Sequence, residues 1–75
     1  MFKLPSDIKP HQAIKMLERL GFKKYKQRGS HLRLQHPDGR FTQIPIHPRP
    51  IPRGTLAKIL RQAKVGLDEF ITHLR

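Results

Sequence analysis

The sequence contains no cysteine and no tryptophan, and only five of its 75 residues are Asp or Glu. Without cysteine the chain has no disulfide, no thiolate zinc finger and no cysteine nucleophile, so it lacks the usual cross-links of very small secreted folds. The shortage of carboxylates disfavours phosphodiester cleavage by two magnesium ions, because clustered carboxylates usually hold those ions. The fold must therefore depend on its hydrophobic core, and its chemistry on other side chains.

Long hydrophobic segments are also missing. No apolar run approaches the roughly 20 residues of a membrane-spanning helix, and the N-terminal stretch lacks the apolar region of a signal peptide. We therefore expect a soluble cytoplasmic protein with no membrane partner. The chain is predicted to form one domain, residues 1–75, and domains of this size bury only roughly 60–65% of their unfolded surface. Such a core leaves no room for an enclosed cofactor cavity, so we expect a shallow site and no cofactor.

Positive charge dominates the composition. Sixteen Lys and Arg against five acidic residues give a formal net charge of +11 with neutral histidine. Self-repulsion at this charge favours a polyanionic partner, which could be a nucleic acid, an acidic protein or a membrane surface. Because the basic residues are spread along the chain and apolar residues recur between them with helical period, a folded domain is favoured over a disordered tail.

Hydrophobic periodicity predicts a helix, three antiparallel strands and two further helices. The predicted elements are helix 10–20, strands 22–28, 31–36 and 40–46, and helices 53–64 and 67–75. Pro10 suits the first position of its helix, Gly21 ends that helix, and Asp68 is expected to cap the last one. An antiparallel sheet with helices on one face is an α+β two-layer domain.

Histidine is the side chain that ordinarily titrates near neutral pH, so an enzyme of this composition would most economically use one as its general acid or base. His31 is the best candidate, because it begins the middle strand on the face opposite Leu32 and Leu34, beside Arg33. The competing interpretation is one more polar residue on a solvated sheet face.

The other four histidines offer less. His11 and His73 lie on predicted helices and are expected at the surface, whereas His36 and His47 border turns, where bonds to backbone groups are expected. The spacing of the histidines and Asp38 is not that of a zinc site, so no metal site is predicted. RNA needs no metal for cleavage, because its own 2′-OH can attack the phosphate when a base removes the proton and cations stabilise the phosphorane.

Several short motifs occur in an order and spacing that point to one family. They are Leu20-Gly21-Phe22, Gly29-Ser30-His31, His36-Pro37-Asp38-Gly39-Arg40, Ile44-Pro45-Ile46-His47, and Gly54-Thr55-Leu56 with Ile59-Leu60-Arg61-Gln62-Ala63. Together they resemble HicA, the toxin of HicA-HicB toxin-antitoxin systems, over nearly the whole chain. The resemblance implies an α-β-β-β-α two-layer fold like a double-stranded-RNA-binding domain, with a short extra C-terminal helix. It also implies a ribosome-independent mRNA endoribonuclease that a HicB antitoxin silences.

The family's catalytic histidine lies in its Gly-Ser-His motif, which falls on His31 here. Many relatives carry a second histidine directly afterwards, where this chain has Leu32, so a mechanism with two adjacent histidines is not expected. The usual Gln-Ala-Gly-Leu is replaced by residues 62–67, which lengthens the link to the last helix. The implied partners are mRNA and an acidic HicB-like antitoxin, with a monomer when free and a hetero-oligomer with antitoxin.

The leading hypothesis is thus a metal-independent endoribonuclease toxin with His31 as general acid or base. Its candidate RNA contacts are Lys24, Lys26, Arg28, Gly29, Ser30, Arg33, Gly54, Thr55, Lys58 and Arg61. At Gly54 and Thr55 the free backbone amides at the start of the helix could hold a phosphate. Alternatively, the start of this helix could simply be tightly packed. The alternative is a noncatalytic RNA-binding module of the same fold, which charge and strand pattern fit equally well. A third hypothesis is a basic protein that coats nucleic acid or a membrane. This hypothesis gives no role to a histidine at a defined position in the fold.

Overall fold

The computed structural model describes residues 4–72 as one three-stranded sheet with helices packed on one side. The elements are α1 (Pro10–Arg19), β1 (Lys23–Arg28), β2 (His31–Gln35), β3 (Phe41–Pro45), α2 (Arg53–Ala63) and α3 (Leu67–Thr72). The strands are antiparallel in the order β1-β2-β3. This confirms the predicted α+β fold with its double-stranded-RNA-binding-like layout and extra helix. His73, which we predicted on the last helix, lies outside the described residues.

Local sequence explains where α1 begins and ends. Pro10 occupies the first helical position, where its missing N–H costs no helical hydrogen bond, and the Lys9 backbone N–H donates to Gln12 Oε1 at 2.8 Å. Gly21 follows the helix at φ +102°, in the left-handed region that favours glycine. A Cβ at Gly21 would lie 2.6 Å from His36 Nε2, so close packing as well as backbone geometry requires glycine there.

The core lies between the helices and one face of β2 and β3. Leu32 and Leu34 alternate with exposed or half-buried residues along β2, and Thr42 and Ile44 do the same along β3. All six residues of strand β1 are exposed. The helices pack on β3 rather than β1, which explains why β1 contributes nothing to the core.

Two sequence predictions at element ends need correction. Phe22 was predicted within the first strand, but it precedes β1 and is buried in the core. Asp68 was expected to cap the last helix, but α3 begins at Leu67, so Asp68 lies in its first turn, where its charge complements the helix dipole. Helix α2 ends at Ala63, and the next residue, Lys64, has a φ of 56° and a ψ of 44°, the left-handed conformation that glycine usually adopts after a helix.

His36, Asp38 and Arg40 link the β2–β3 turn to the ends of α1 and α2. The His36 Nε2 lies 3.1 Å from the Leu20 carbonyl oxygen, which can only accept, so Nε2 carries a hydrogen. The Nδ1 of the same ring lies 3.1 Å from the Asp38 backbone nitrogen and 3.0 Å from Asp38 Oδ1. Arg40 donates to Asp38 Oδ2 at 2.7 Å and to the Ala63 carbonyl at 3.2 Å. The Arg40 backbone N–H and guanidinium hold the pKa of Asp38 below its ordinary value. The predicted bonding of His36 to backbone is confirmed, and the network fixes the sheet against both helices.

Candidate active site on the open sheet face

The face of the sheet turned away from the helices, here called the open face, brings the candidate histidine and several cations together. His31 is paired with Arg28 on one side and Pro45 on the other, while Arg33 is paired with Lys26 and Gln43. Directly paired residues project to the same side of an antiparallel sheet, and residues two apart in a strand share a face. The open face therefore carries Lys23, Lys26, Arg28, His31, Arg33, Gln35, Phe41, Gln43 and Pro45.

His31 lies where two surface hollows meet. The β1-side hollow is lined by Lys26, Arg28, His31, Arg33 and Gln43. The α2-side hollow is lined by His31, Gln43, Pro45, Thr55, Lys58, Ile59, Arg61 and Gln62. Each hollow contains basic side chains, and neither has a carboxylate among its lining residues. A strand of phosphates crossing both hollows would therefore pass the imidazole with cations on either side.

The turn before β2 holds His31 at the edge of both hollows. Gly29 adopts φ +60°, and the Ser30 carbonyl accepts from the Ile46 backbone N–H at 2.6 Å, which ties the turn to the chain just after β3. The His31 side chain is exposed and forms no hydrogen bond or ion pair with any other residue in 4–72. No described residue therefore competes with a ligand for the imidazole.

The structure brings most of the predicted RNA contacts to His31, but not all of them. Lys26, Arg28 and Arg33 line the β1-side hollow, and Thr55, Lys58 and Arg61 line the α2-side hollow. Gly29 and Ser30 form the adjacent turn.

Lys24 and Gly54 are the exceptions. Lys24 is paired with Leu34, whose side chain faces the core, and it lines a separate hollow with Tyr25 and His36. Gly54 is exposed in the first turn of α2 but does not line either hollow at His31. Lys24 therefore does not lie with the other predicted RNA contacts around His31.

Gln43 and Gln62 line the site, although neither was predicted as a site residue. Gln43 reaches both hollows, and Gln62 lines the α2-side hollow. The buried Thr42 hydroxyl lies 3.1 Å from both the Ile59 carbonyl oxygen and Gln62 Oε1, so it fixes α2 against β3 beside Gln62. The alternation of β3 was a usable signal for Gln43, because Thr42 and Ile44 face the core and the residue between them must face outward. Gln62 had no such signal.

Elsewhere in the described chain, the other histidines form no comparable site. His11 is exposed on α1, as predicted, and shares a shallow hollow with the half-buried His47. Residues 4–72 contain no cluster of three or more His, Asp or Glu side chains that could hold a metal ion. None of the helices in this range combines the length and the apolar character needed to cross a membrane.

Fold and site together define a small basic α+β domain with one histidine among cations on its open sheet face. The family model described as HicA toxin of bacterial toxin-antitoxin matches residues 10–65. The chain belongs to this family, which confirms the resemblance drawn from its motifs. It is therefore a toxin of a toxin-antitoxin system, and an antitoxin is its implied partner. A comparison with curated protein sequences gave no match.

Proposed function

We propose that this toxin is a metal-independent endoribonuclease that cleaves mRNA, with His31 as its general acid or base. The observation that carries the proposal is the position of His31 between two cationic hollows that no carboxylate lines. Such a surface attracts the RNA backbone and leaves an unpaired imidazole beside it. The family, which is known for mRNA-cleaving toxins, supports the same assignment.

The proposed reaction is an internal transfer within the RNA. His31 removes the proton from a ribose 2′-OH, and the oxygen attacks the adjacent phosphorus while the bond to the 5′ oxygen breaks. The leaving 5′ oxygen takes a proton from solvent, which reaches the open face freely. The products are a 2′,3′-cyclic phosphate and a 5′-OH. Arg28 and Lys58, from opposite hollows, are placed to stabilise the charge that develops on the phosphorane oxygens.

Salt dependence tests whether the hollows bind RNA. Replacing Arg28 with alanine should weaken binding of a single-stranded mRNA fragment and reduce the slope of log affinity against log salt by about 0.7, the value for one lost contact to single-stranded phosphate. Lys15→Ala is the matched control, because Lys15 is exposed on α1 on the other side of the sheet. Fluorescence anisotropy titrations at several salt concentrations give both slopes.

The same samples, analysed on a denaturing gel, separate the two functional hypotheses. Cleavage of the bound fragment is expected of the endoribonuclease. Saturable binding with the RNA left intact would identify the noncatalytic RNA-binding module instead. Equal slopes for Arg28→Ala and Lys15→Ala would show that the open face does not bind RNA.

We propose further that an acidic HicB-like antitoxin inhibits the toxin by covering the open face, where cytoplasmic mRNA would otherwise bind. A net charge of +11 favours fast association with an acidic protein, and this attraction is screened by salt. Stopped-flow mixing should therefore show an association rate that falls as ionic strength rises, and the complex should not cleave RNA. A complex that still cleaves RNA, or a rate independent of salt, would contradict this mode of inhibition.

A further inference from the structure

Phe41 is an exposed aromatic residue on the open face, whose other residues are polar apart from Pro45. It begins β3, is paired with Gln35, and is 38% exposed. A phenyl ring contributes most to stability when it is buried, and this ring is partly open on a cationic surface. It is also in contact with a predicted RNA-binding residue.

That residue is Arg33, whose guanidinium carbon lies 4.4 Å from the centroid of the Phe41 ring. Arg33 forms no ion pair or hydrogen bond with the other described residues, and its Nε is buried without an acceptor. The cation is thus held by an aromatic ring and not by a carboxylate. The Arg33 side chain is half-buried and helps to line the β1-side hollow.

We propose that Phe41 and Arg33 together form a stacking platform for an unpaired base of the RNA, so that the toxin acts on single-stranded segments. Unpaired bases stack on aromatic rings and on guanidinium planes, whereas bases within a double helix are already stacked and turn only their edges outward. The proposal deepens the proposed function, on which it rests, by naming the form of RNA that the open face accepts. Arg33 lines the β1-side hollow, whereas Phe41 lines a further hollow with Asp38, Arg40 and Gln62.

The platform lies close enough to His31 to select a nucleotide beside the cleaved bond. Arg33 follows His31 by two residues on the same face of β2, which places their Cα atoms about 7 Å apart at the usual rise of a strand. Lys26, paired with Arg33, lies on the outer side of the same hollow and is positioned to contact phosphate. Base stacking on the platform and phosphate binding at Lys26 would therefore act on adjoining parts of one strand.

A fluorescent base analogue tests the platform without requiring cleavage. The probe is a single-stranded 2′-O-methyl RNA, which lacks the attacking hydroxyl, with one 2-aminopurine moved through successive positions. Stacking quenches this base, so the unmodified protein should quench it strongly at one position. Phe41→Leu should abolish this quenching and weaken binding roughly 5-fold to 150-fold, from the range measured for lost base stacking. Phe41→Trp should keep the quenching.

Tyr25→Leu is the matched control, because Tyr25 is an exposed aromatic residue on β1 that lines a different hollow. It should change neither the quenching nor the affinity, and thermal melts should show all variants folded. Position-independent quenching, an unchanged Phe41→Leu variant, or equal affinity for a fully paired duplex would overturn the platform. Because the probe cannot be cleaved by its own 2′-OH, position-specific quenching with no cleavage of natural RNA would support the platform and refute the endoribonuclease.

Discussion

Replacing His31 with alanine should abolish RNA cleavage while the protein stays folded and still binds RNA. A positioned general acid or base contributes roughly 10²-fold to 10⁴-fold to a rate, so the variant should be inactive in a standard gel assay. The side chain is exposed and has no partner among the described residues, so its removal should change the free energy of unfolding by less than about 0.5 kcal/mol. Cleavage rates and thermal melts of the two proteins measure both effects.

His11→Ala is the matched control for this variant. His11 is also exposed, but it lies on α1, across the sheet from the open face, so its replacement should leave cleavage unchanged. A His31→Ala protein that cleaves at the normal rate would remove His31 from the chemistry. A His31→Ala protein that unfolds would show that the residue has a structural role instead.

Substituting deoxyribose at the single scissile nucleotide should stop cleavage there. The proposed reaction uses the 2′-OH as its nucleophile, so without that oxygen no bond to phosphorus can form. Binding should change much less, because the phosphates that contact Lys and Arg are unchanged. Cleavage of the all-ribose RNA should also persist in excess EDTA, since no carboxylate lines either hollow at His31. Gel assays on the paired substrates, with and without EDTA, test both expectations.

The opposite results would require a different reaction. If the deoxy-substituted RNA is cut at the same position, water and not the 2′-OH is the nucleophile. If activity disappears in EDTA and returns with magnesium, a metal ion takes part and the role proposed for His31 is wrong. An RNA with deoxyribose one nucleotide away from the scissile position is the control, because it should be cleaved normally.

Strand β2 and the position of His31 could be predicted because apolar and polar residues alternate regularly along β2. Leu32 and Leu34 must face the core, which leaves His31 and Arg33 on the other side. The same rule fails in β1, where no residue is buried and the sequence gives no inward or outward pattern. Simple alternation groups Lys24 with Lys26, but the register shifts between them, and this bulge turns Lys24 away from the open face.

The α2-side hollow was beyond prediction for a different reason. Its shape depends on how closely α2 packs against β3, and that distance is set by contacts such as the one between Thr42 and the Ile59 carbonyl, which join residues far apart in the chain. The contact of Arg33 with Phe41 is of the same kind, because it depends on the register of β2 and β3. Local pattern thus indicated which face of β2 carries the candidate histidine and Arg33, whereas the grouping of the predicted residues into two hollows required the tertiary structure.

Identification of the chemical ends of the RNA fragments is the most direct test of the proposed cleavage reaction. A single-stranded mRNA fragment would be incubated with the purified toxin in EDTA, and the products would be analysed by mass spectrometry. We expect 2′,3′-cyclic phosphate and 5′-OH ends from the unmodified protein and intact RNA from His31→Ala. Fragments with 5′-phosphate and 3′-OH ends, or the same fragments from both proteins, would contradict the proposed reaction.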